Sequence, residues 1–405
     1  MNILVIGNGF DLAHGLPTKY TDFLEWTVGQ YNFFYILKKQ NSDLTRSIDH
    51  ISLRIPEKIK GIEISQRVEH QEEIWNCIDE NVWIEYFLPI YADREKNGKD
   101  GWIDFESEIS QIIQSLDDDM NSPVSQHFNL DDKVQNISNV YLYQKYIDWF
   151  AKRTYKELRD TLLNDLNKLI RTLEIYLCEY VEKMETEEKS PNINALDIDF
   201  ILSFNYTHIF TKLYNVSDRS KQEVSNPFDY IHGEVKIYST IETNNMVLGI
   251  DEYLRKKRRN KDTEFIAFKK YYQRIYKQTG SKYKKWVEII RNQIQEIDDK
   301  IKNQYPVQIP YNKIPNKCRN QLFIFGHSLD ITDKDILREL ILNDNVYTTI
   351  FYYNKDAMGQ QIANLVKVIG QDELIRRTGG NTKTIEFVPQ DPMVPINKQQ
   401  SNWRL

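Results

Sequence analysis

The chain opens on Ile3-Leu4-Val5-Ile6 and runs straight into Gly7-Asn8-Gly9, and that junction constrains the fold more than any other feature. An unbroken β-branched and leucine run ending at glycine reads as a strand buried on both faces of a parallel sheet. A helix could also begin on such a run, but two glycines within three residues argue against it. Beyond them, residues 21–38 carry Phe23, Leu24, Trp26, Phe33 and Leu37 at helical spacing. Strand, glycine turn, loop and helix is the opening of a Rossmann-like α/β fold.

Strand signals then stop for a long interval. Between residues 41 and 189 no comparable run occurs, while 146–183 places leucines and tyrosines three and four residues apart among many charges, as an amphipathic helix does. Strands are predicted again at 198–204, 230–232 and 246–250, and further on at 321–325 and 346–353, with a second helical block over 253–303 between the two groups. At 405 residues the chain has room for one large domain or two ordinary ones, and this distribution predicts one core with large α-helical insertions. The core would comprise 1–40, 190–250 and 304–390. The insertions would be 41–189 and a basic, aromatic 251–303, and 391–405 would form a tail rich in Pro, Asn and Gln.

With 28% charged and 40% hydrophobic residues the chain is of globular type. Its net charge of -6 provides no overall pull toward nucleic acid or an anionic membrane, so any such binding would be regional. Cys77, Cys178 and Cys318 form no Cys-x-x-Cys pair, which suggests neither a disulfide framework nor a zinc site and fits a reducing cytoplasm. The first residues lack a basic n-region, and no stretch approaches the roughly 20 apolar residues of a membrane-spanning helix. A cytoplasmic location is therefore expected.

Four short motifs carry the chemistry. Gly7-Asn8-Gly9 would let backbone N–H groups approach a pyrophosphate, or would form a plain tight turn. The third glycine of a full dinucleotide fingerprint is absent, Leu12 standing in its place. Phe10, Asp11 and His14 follow in the same loop, and Asp11 can either meet a ligand or bond the loop backbone. Asn205 and Thr207 close the strand at 198–204, where a carboxamide could hold a ribose hydroxyl or a water, or sit in a turn. His232, in Ile231-His232-Gly233, could act as a general base or be a structural histidine. Gly326-His327-Ser328-Leu329-Asp330 repeats the strand-to-glycine logic, with Ser328 or Asp330 alternatively capping the helix that follows. Two such loops in one sheet suggest a dinucleotide-sized ligand.

The opening from Asn2 to Tyr20, through Gly7-Asn8-Gly9-Phe10-Asp11 and His14-Gly15-Leu16-Pro17-Thr18, resembles the start of bacterial AbiH-family phage-defence proteins. Trp102-Ile103-Asp104-Phe105-Glu106, Phe204-Asn205-Tyr206-Thr207, Ile231-His232-Gly233 and Gly326-His327-Ser328-Leu329-Asp330 resemble that family's motifs in order. More distantly, the succession is similar to that of sirtuins and sirtuin-like NAD-cleaving defence enzymes, a fold-level analogy. It implies that Gly7, Asn8, Gly9, Phe10, Asp11, His14, Thr207, Gly326, His327, Ser328 and Asp330 hold NAD, while Asn205 and His232 flank the bond between nicotinamide and ribose. Sirtuins carry an aspartate where Thr207 stands, and their four-cysteine zinc module is missing. The resemblance therefore points to nucleotide hydrolysis rather than protein deacylation.

Other readings remain beside it. A nucleotide-binding sensor without turnover would need the loops but not His232, with its helical insertions engaging a partner protein or a phage-derived trigger, or self-associating. Nucleic acid could be engaged through 255–286, where Arg255-Lys256-Lys257-Arg258-Arg259 precedes Lys269, Lys270, Tyr271, Tyr272, Arg274, Lys282, Lys284 and Lys285, although a solvated helix with buried aromatics gives the same pattern. Asp104 and Glu106, two residues apart, would not share a helix face, and Trp102 reads as core. His127 and His208 have no companion at ligand spacing, so no metal is expected.

Overall fold

The computed structural model describes residues 1–41, 70–96, 103–121, 153–214, 227–254, 258, 261–304 and 320–396. The chain divides into two compact units. The first comprises Met1–Leu16, Met184–Glu234 and Gln278–Leu405, and the second Pro17–Lys183 and Val235–Lys277.

The first unit contains a six-stranded parallel sheet. The strands described in this unit, which include two of a separate small sheet, are in chain order β1 (Asn2–Ile6), β2 (Glu188–Lys189), β3 (Phe200–Ser203), β4 (Phe228–Tyr230), β5 (Asn320–Phe325), β6 (Val346–Tyr352), β7 (Ile385–Pro389) and β8 (Val394–Pro395). The large sheet runs β4-β3-β1-β5-β6-β7, every neighbouring pair parallel. Counting only its own strands, that order is 3-2-1-4-5-6, the doubly wound arrangement in which ligands sit beyond the carboxyl ends of the strands. The chain is thus a Rossmann-like α/β protein. The central strand β1 is apolar because it is covered on both faces, Leu4 and Val5 being wholly buried. Ile3, Val5, Leu202, Ile324 and Ile350 join one core with Ile336, Leu337 and Leu340 of the helix Lys334–Ile341, and Leu365 and Val368 of the helix Lys355–Ile369.

The second unit is helical and is organised on the helix Tyr155–Glu179. That helix starts at a reciprocal capping box between Thr154 and Glu157. The Asn81 carboxamide donates to its Asp165 carbonyl (2.9 Å) and the Trp83 indole to its Leu162 carbonyl (2.8 Å). Nearby, Phe87 and Phe105 stack at 4.0 Å. Arg171 and Glu174 are both buried, and their side chains meet at 2.7 Å. Glu174 also accepts from the Asn244 carboxamide (2.5 Å) and the Lys236 amide (3.1 Å).

Two expectations change. Residues 246–250, predicted as a strand, belong to the second unit and make only an isolated parallel bridge, Ile250 to Lys269. A side-chain amide takes the place of a sheet partner there: Gln273 accepts from the Leu248 N–H and donates to the Leu248 carbonyl, both at 3.1 Å. β7 was not anticipated, and it completes the sheet beside β6. The tail, expected as an extended surface segment, holds the exposed two-residue β8, which pairs antiparallel with β2. The basic stretch is largely neutralised where described. Lys269 pairs with Glu252, Lys270 with Glu106, Lys284 with Glu339, and Arg258 with Asp117 and Asp262, while Phe268 and Trp286 are buried. Residues 255–257, 259–260, Trp102, His127 and Cys318 lie outside the described residues. Among the described residues no helix is long and apolar enough to cross a membrane, and no cluster of three potential metal ligands forms.

Candidate functional site

Because β4, β3, β1 and β5 are adjacent and parallel, the loops that leave them emerge on one edge. Ile6 is level with Ser203 and with Phe325, and Ser203 with Tyr230. Gly7, Phe204, Ile231 and Gly326 therefore each begin a loop at the same height. The four motifs meet along one edge of the first unit.

The two glycine loops pack on each other. A Cβ on Gly9 would stand 2.8 Å from the Gly326 backbone, and one on Gly326 only 2.1 Å from the Phe10 nitrogen. The Gly9 amide donates to the Gly326 carbonyl (2.8 Å), the Gly7 amide to Phe325 (3.3 Å) and the Phe10 amide to Gly7 (2.8 Å). The expectation that these amides face a pyrophosphate is corrected by that bonding. Glycine is required here because β1 and β5 are neighbours whose loops touch through bare backbone.

Asp11, Phe10 and His14 also turn inward. The Thr207 hydroxyl donates to the Asp11 carboxylate at 2.7 Å, both residues being buried. Asp11 thus places a carboxylate on the Thr207 hydroxyl. Phe10 packs among His14, Phe210, Tyr214 and Phe325. His14 Nδ1 lies 2.7 Å from the Phe10 carbonyl and Nε2 2.8 Å from the Tyr214 hydroxyl, which accepts from the Ser190 amide (2.7 Å). A carbonyl only accepts, so Nδ1 carries the proton and Nε2 accepts from tyrosine. Burial holds His14 below its ordinary pKa, opposed by the Phe10 carbonyl and assisted by Lys189. Both ring nitrogens are engaged within the fold, so the structure gives His14 a core role. Asn8 begins the short helix Asn8–Ala13 and is half-buried.

Asn205 sits in a turn in which the Ser203 hydroxyl accepts from its amide (3.1 Å) and donates to its carbonyl (3.0 Å). Its side chain is buried, and the carboxamide nitrogen has no hydrogen-bond partner among the described residues. His232, level with it on β4's loop, is 6% exposed. Its Nε2 lies 3.1 Å from Asp333 Oδ1, close in distance but off the line of a good hydrogen bond. On the other side of the same carboxylate, His327 Nε2 lies 3.5 Å from Oδ2. The Phe204 ring stands edge-on to both imidazoles, with centroids 5.5 Å from His232 and 4.2 Å from His327.

Ser328 and Asp330 each make a hydrogen bond within the fold. Ser328 is exposed, and its carbonyl accepts from the Asn364 carboxamide (2.9 Å). Asp330 caps the turn Ile331–Asp333 by accepting from the Thr332 amide at 3.0 Å, whereas the helix Lys334–Ile341 that it was expected to cap begins at Asp333 without a side-chain cap. Asp333 is the residue that motif reading overlooked. No local spacing marked it, because the two imidazoles beside it stand on different loops.

A family model described as bacteriophage abortive infection AbiH matches residues 3–353, taking in all four loops. The chain belongs to the AbiH family. Membership places it in abortive infection by bacteriophage. The match ends between β6 and β7, so the last strand of the sheet lies beyond it. No curated protein and no solved structure matches the chain.

Proposed function

We propose that this AbiH-family chain hydrolyses the glycosidic bond of NAD or a related nucleotide during abortive infection, with His232 as general base and Asn205 positioning water and ribose. The observation that carries the reading is the buried His232 imidazole set against the Asp333 carboxylate, level with Asn205 at the carboxyl ends of adjacent strands. A carboxylate beside a histidine stabilises the imidazolium formed when a proton is taken. A site that only bound ligand would not need this.

The chemistry is modest. Water adds its oxygen to the anomeric carbon of the ribose and gives its proton to His232. The bond to nicotinamide breaks through an oxocarbenium-like state. Its electron pair neutralises the ring nitrogen, so the leaving group needs no proton. The bonding of the Gly7, Gly9 and Phe10 amides to backbone carbonyls means that the phosphates are held by other groups.

The test follows NAD and free nicotinamide in purified protein mixed with phage extract as trigger, for the native chain and for His232→Ala and Asn205→Ala. Loss of a general base should slow turnover by about 10²–10⁴-fold. Equal NAD loss in native protein and both variants removes the assignment. Ligand-dependent stabilisation that survives His232→Ala without product would instead mark a nucleotide sensor.

A further inference from the structure

The loop after β5 contains a residue in an unusual conformation. Leu329 is fully buried and has φ +60°, the left-handed region that a leucine avoids, while Gly326 three residues earlier has φ +68°. A side chain held there persists only when its surroundings demand it, and such positions gather at functional sites. The conformation brings the Leu329 amide onto His327 Nδ1 at 2.9 Å. An amide can only donate, so Nδ1 must accept and the His327 proton must reside on Nε2. That Nε2 is the atom 3.5 Å from Asp333 Oδ2.

The other oxygen of the same carboxylate faces His232 Nε2 at 3.1 Å. Asp333 is 6% exposed, so its charge is little screened. A carboxylate is acceptor-only, so an imidazole nitrogen held this close to it is better placed carrying its proton than presenting a lone pair. Phe204 packs edge-on against both rings.

From this we infer that Leu329, His327 and Asp333 form a positioning chain that places the proton of His232 on Nε2, making Nδ1 the atom that takes a proton from the attacking water. His327, expected to bind nucleotide, is thereby a positioning residue acting through Asp333. This rests on the reading of His232 as general base. The water proton goes to Nδ1, Nε2 keeps its own, and Asp333 stays ionised beside the imidazolium throughout.

The decisive measurement is the tautomer of each imidazole in full-length protein carrying ¹⁵N-histidine, read from two-bond proton–nitrogen correlations. With seven histidines in the chain the spectrum is small, and His232→Gln and His327→Gln assign the two signals. The expected result is a proton on Nε2 of both residues in the native chain. In Asp333→Asn the His232 signal should move to a mixture of tautomers or to Nδ1–H, because the amide offers a donor as well as an acceptor. A native spectrum with the proton on Nδ1 of either residue overturns the inference without any variant. So does a His232 tautomer that is unchanged in Asp333→Asn. Turnover reports separately. Expected tautomers with intact NAD would remove the nucleotide reading and leave the positioning chain standing, whereas NAD cleavage with the opposite tautomer would remove the chain alone.

Discussion

Replacing Gly326 with alanine separates two explanations of the glycine loops, because one involves a ligand and the other does not. Gly326 has φ +68°, and a Cβ there would lie 2.1 Å from the Phe10 nitrogen and 2.4 Å from the Gly9 carbonyl carbon. The left-handed backbone alone costs an alanine about 1–2 kcal/mol. The clash is with main chain on both counts, so relief requires moving β1's loop or β5's, an overpacking that costs about 1–3 kcal/mol. Ligand-free protein should therefore lose about 2–5 kcal/mol in Gly326→Ala. Gly15 is the control for the first contribution, since it has φ +76° but nothing within 4 Å of its Cβ position. Gly15→Ala should cost only about 1–2 kcal/mol.

Gly359 supplies the opposite sign. It lies within the helix Lys355–Ile369 with open space at its Cβ position, so Gly359→Ala should stabilise by about 0.5–1 kcal/mol. All three positions fall in the unit that carries the sheet. The assay is denaturant-dependent hydrogen exchange of β1 and β5 amides without nucleotide, which reads that unit's own opening free energy. Glycines that merely make room for a phosphate would tolerate alanine in the empty protein. Gly326→Ala no more damaging than Gly15→Ala would refute the packing argument.

Two further outcomes follow from buried polar groups. Burial lowers the His14 pKa from its ordinary value of 6.5, so the unfolded chain binds a proton that the folded one refuses. Its contribution to stability is full above about pH 6.5 and declines as pH falls below it; urea midpoints between pH 8 and 5 should flatten in His14→Gln, and an unchanged slope would contradict this. Tyr214→Phe should cost about 1–3 kcal/mol in the same assay by leaving His14 Nε2 and the Ser190 amide unsatisfied. In the helical unit, Arg171→Met strands the buried Glu174 carboxylate and should cost about 3–5 kcal/mol, read from hydrogen exchange of the helix Tyr155–Glu179; a loss below 1 kcal/mol would refute it.

The central strands were legible in the sequence because they are buried on both faces, which forces continuous apolar runs such as Ile3 to Ile6. β7 was not legible because only Ile385 is buried along it, so it shows little of that run. Residues 246–250 were misread for the converse reason. Val247, Leu248 and Ile250 are as buried as any strand, and periodicity reports burial without saying whether the backbone's partner is another strand or Gln273. Asp333 escaped because its meaning lies in two histidines on different loops, and no local spacing encodes that convergence.

The glycine loops teach the sharper lesson. Glycine after a strand shows that something approaches the backbone closely, and it leaves open what approaches. A strand order of 3-2-1-4-5-6 makes the first and fourth strands neighbours, and those are the two whose loops carry Gly9 and Gly326. Once that order is known, two glycine loops on adjacent strands are expected to meet each other before either meets a ligand. The close approach of Gly9 and Gly326 explains the glycines by itself. Chemistry at this edge must then be argued from side chains rather than from the glycine loops, and the proposed ones are Asn205 on β3's loop and the His232 imidazole beside Asp333.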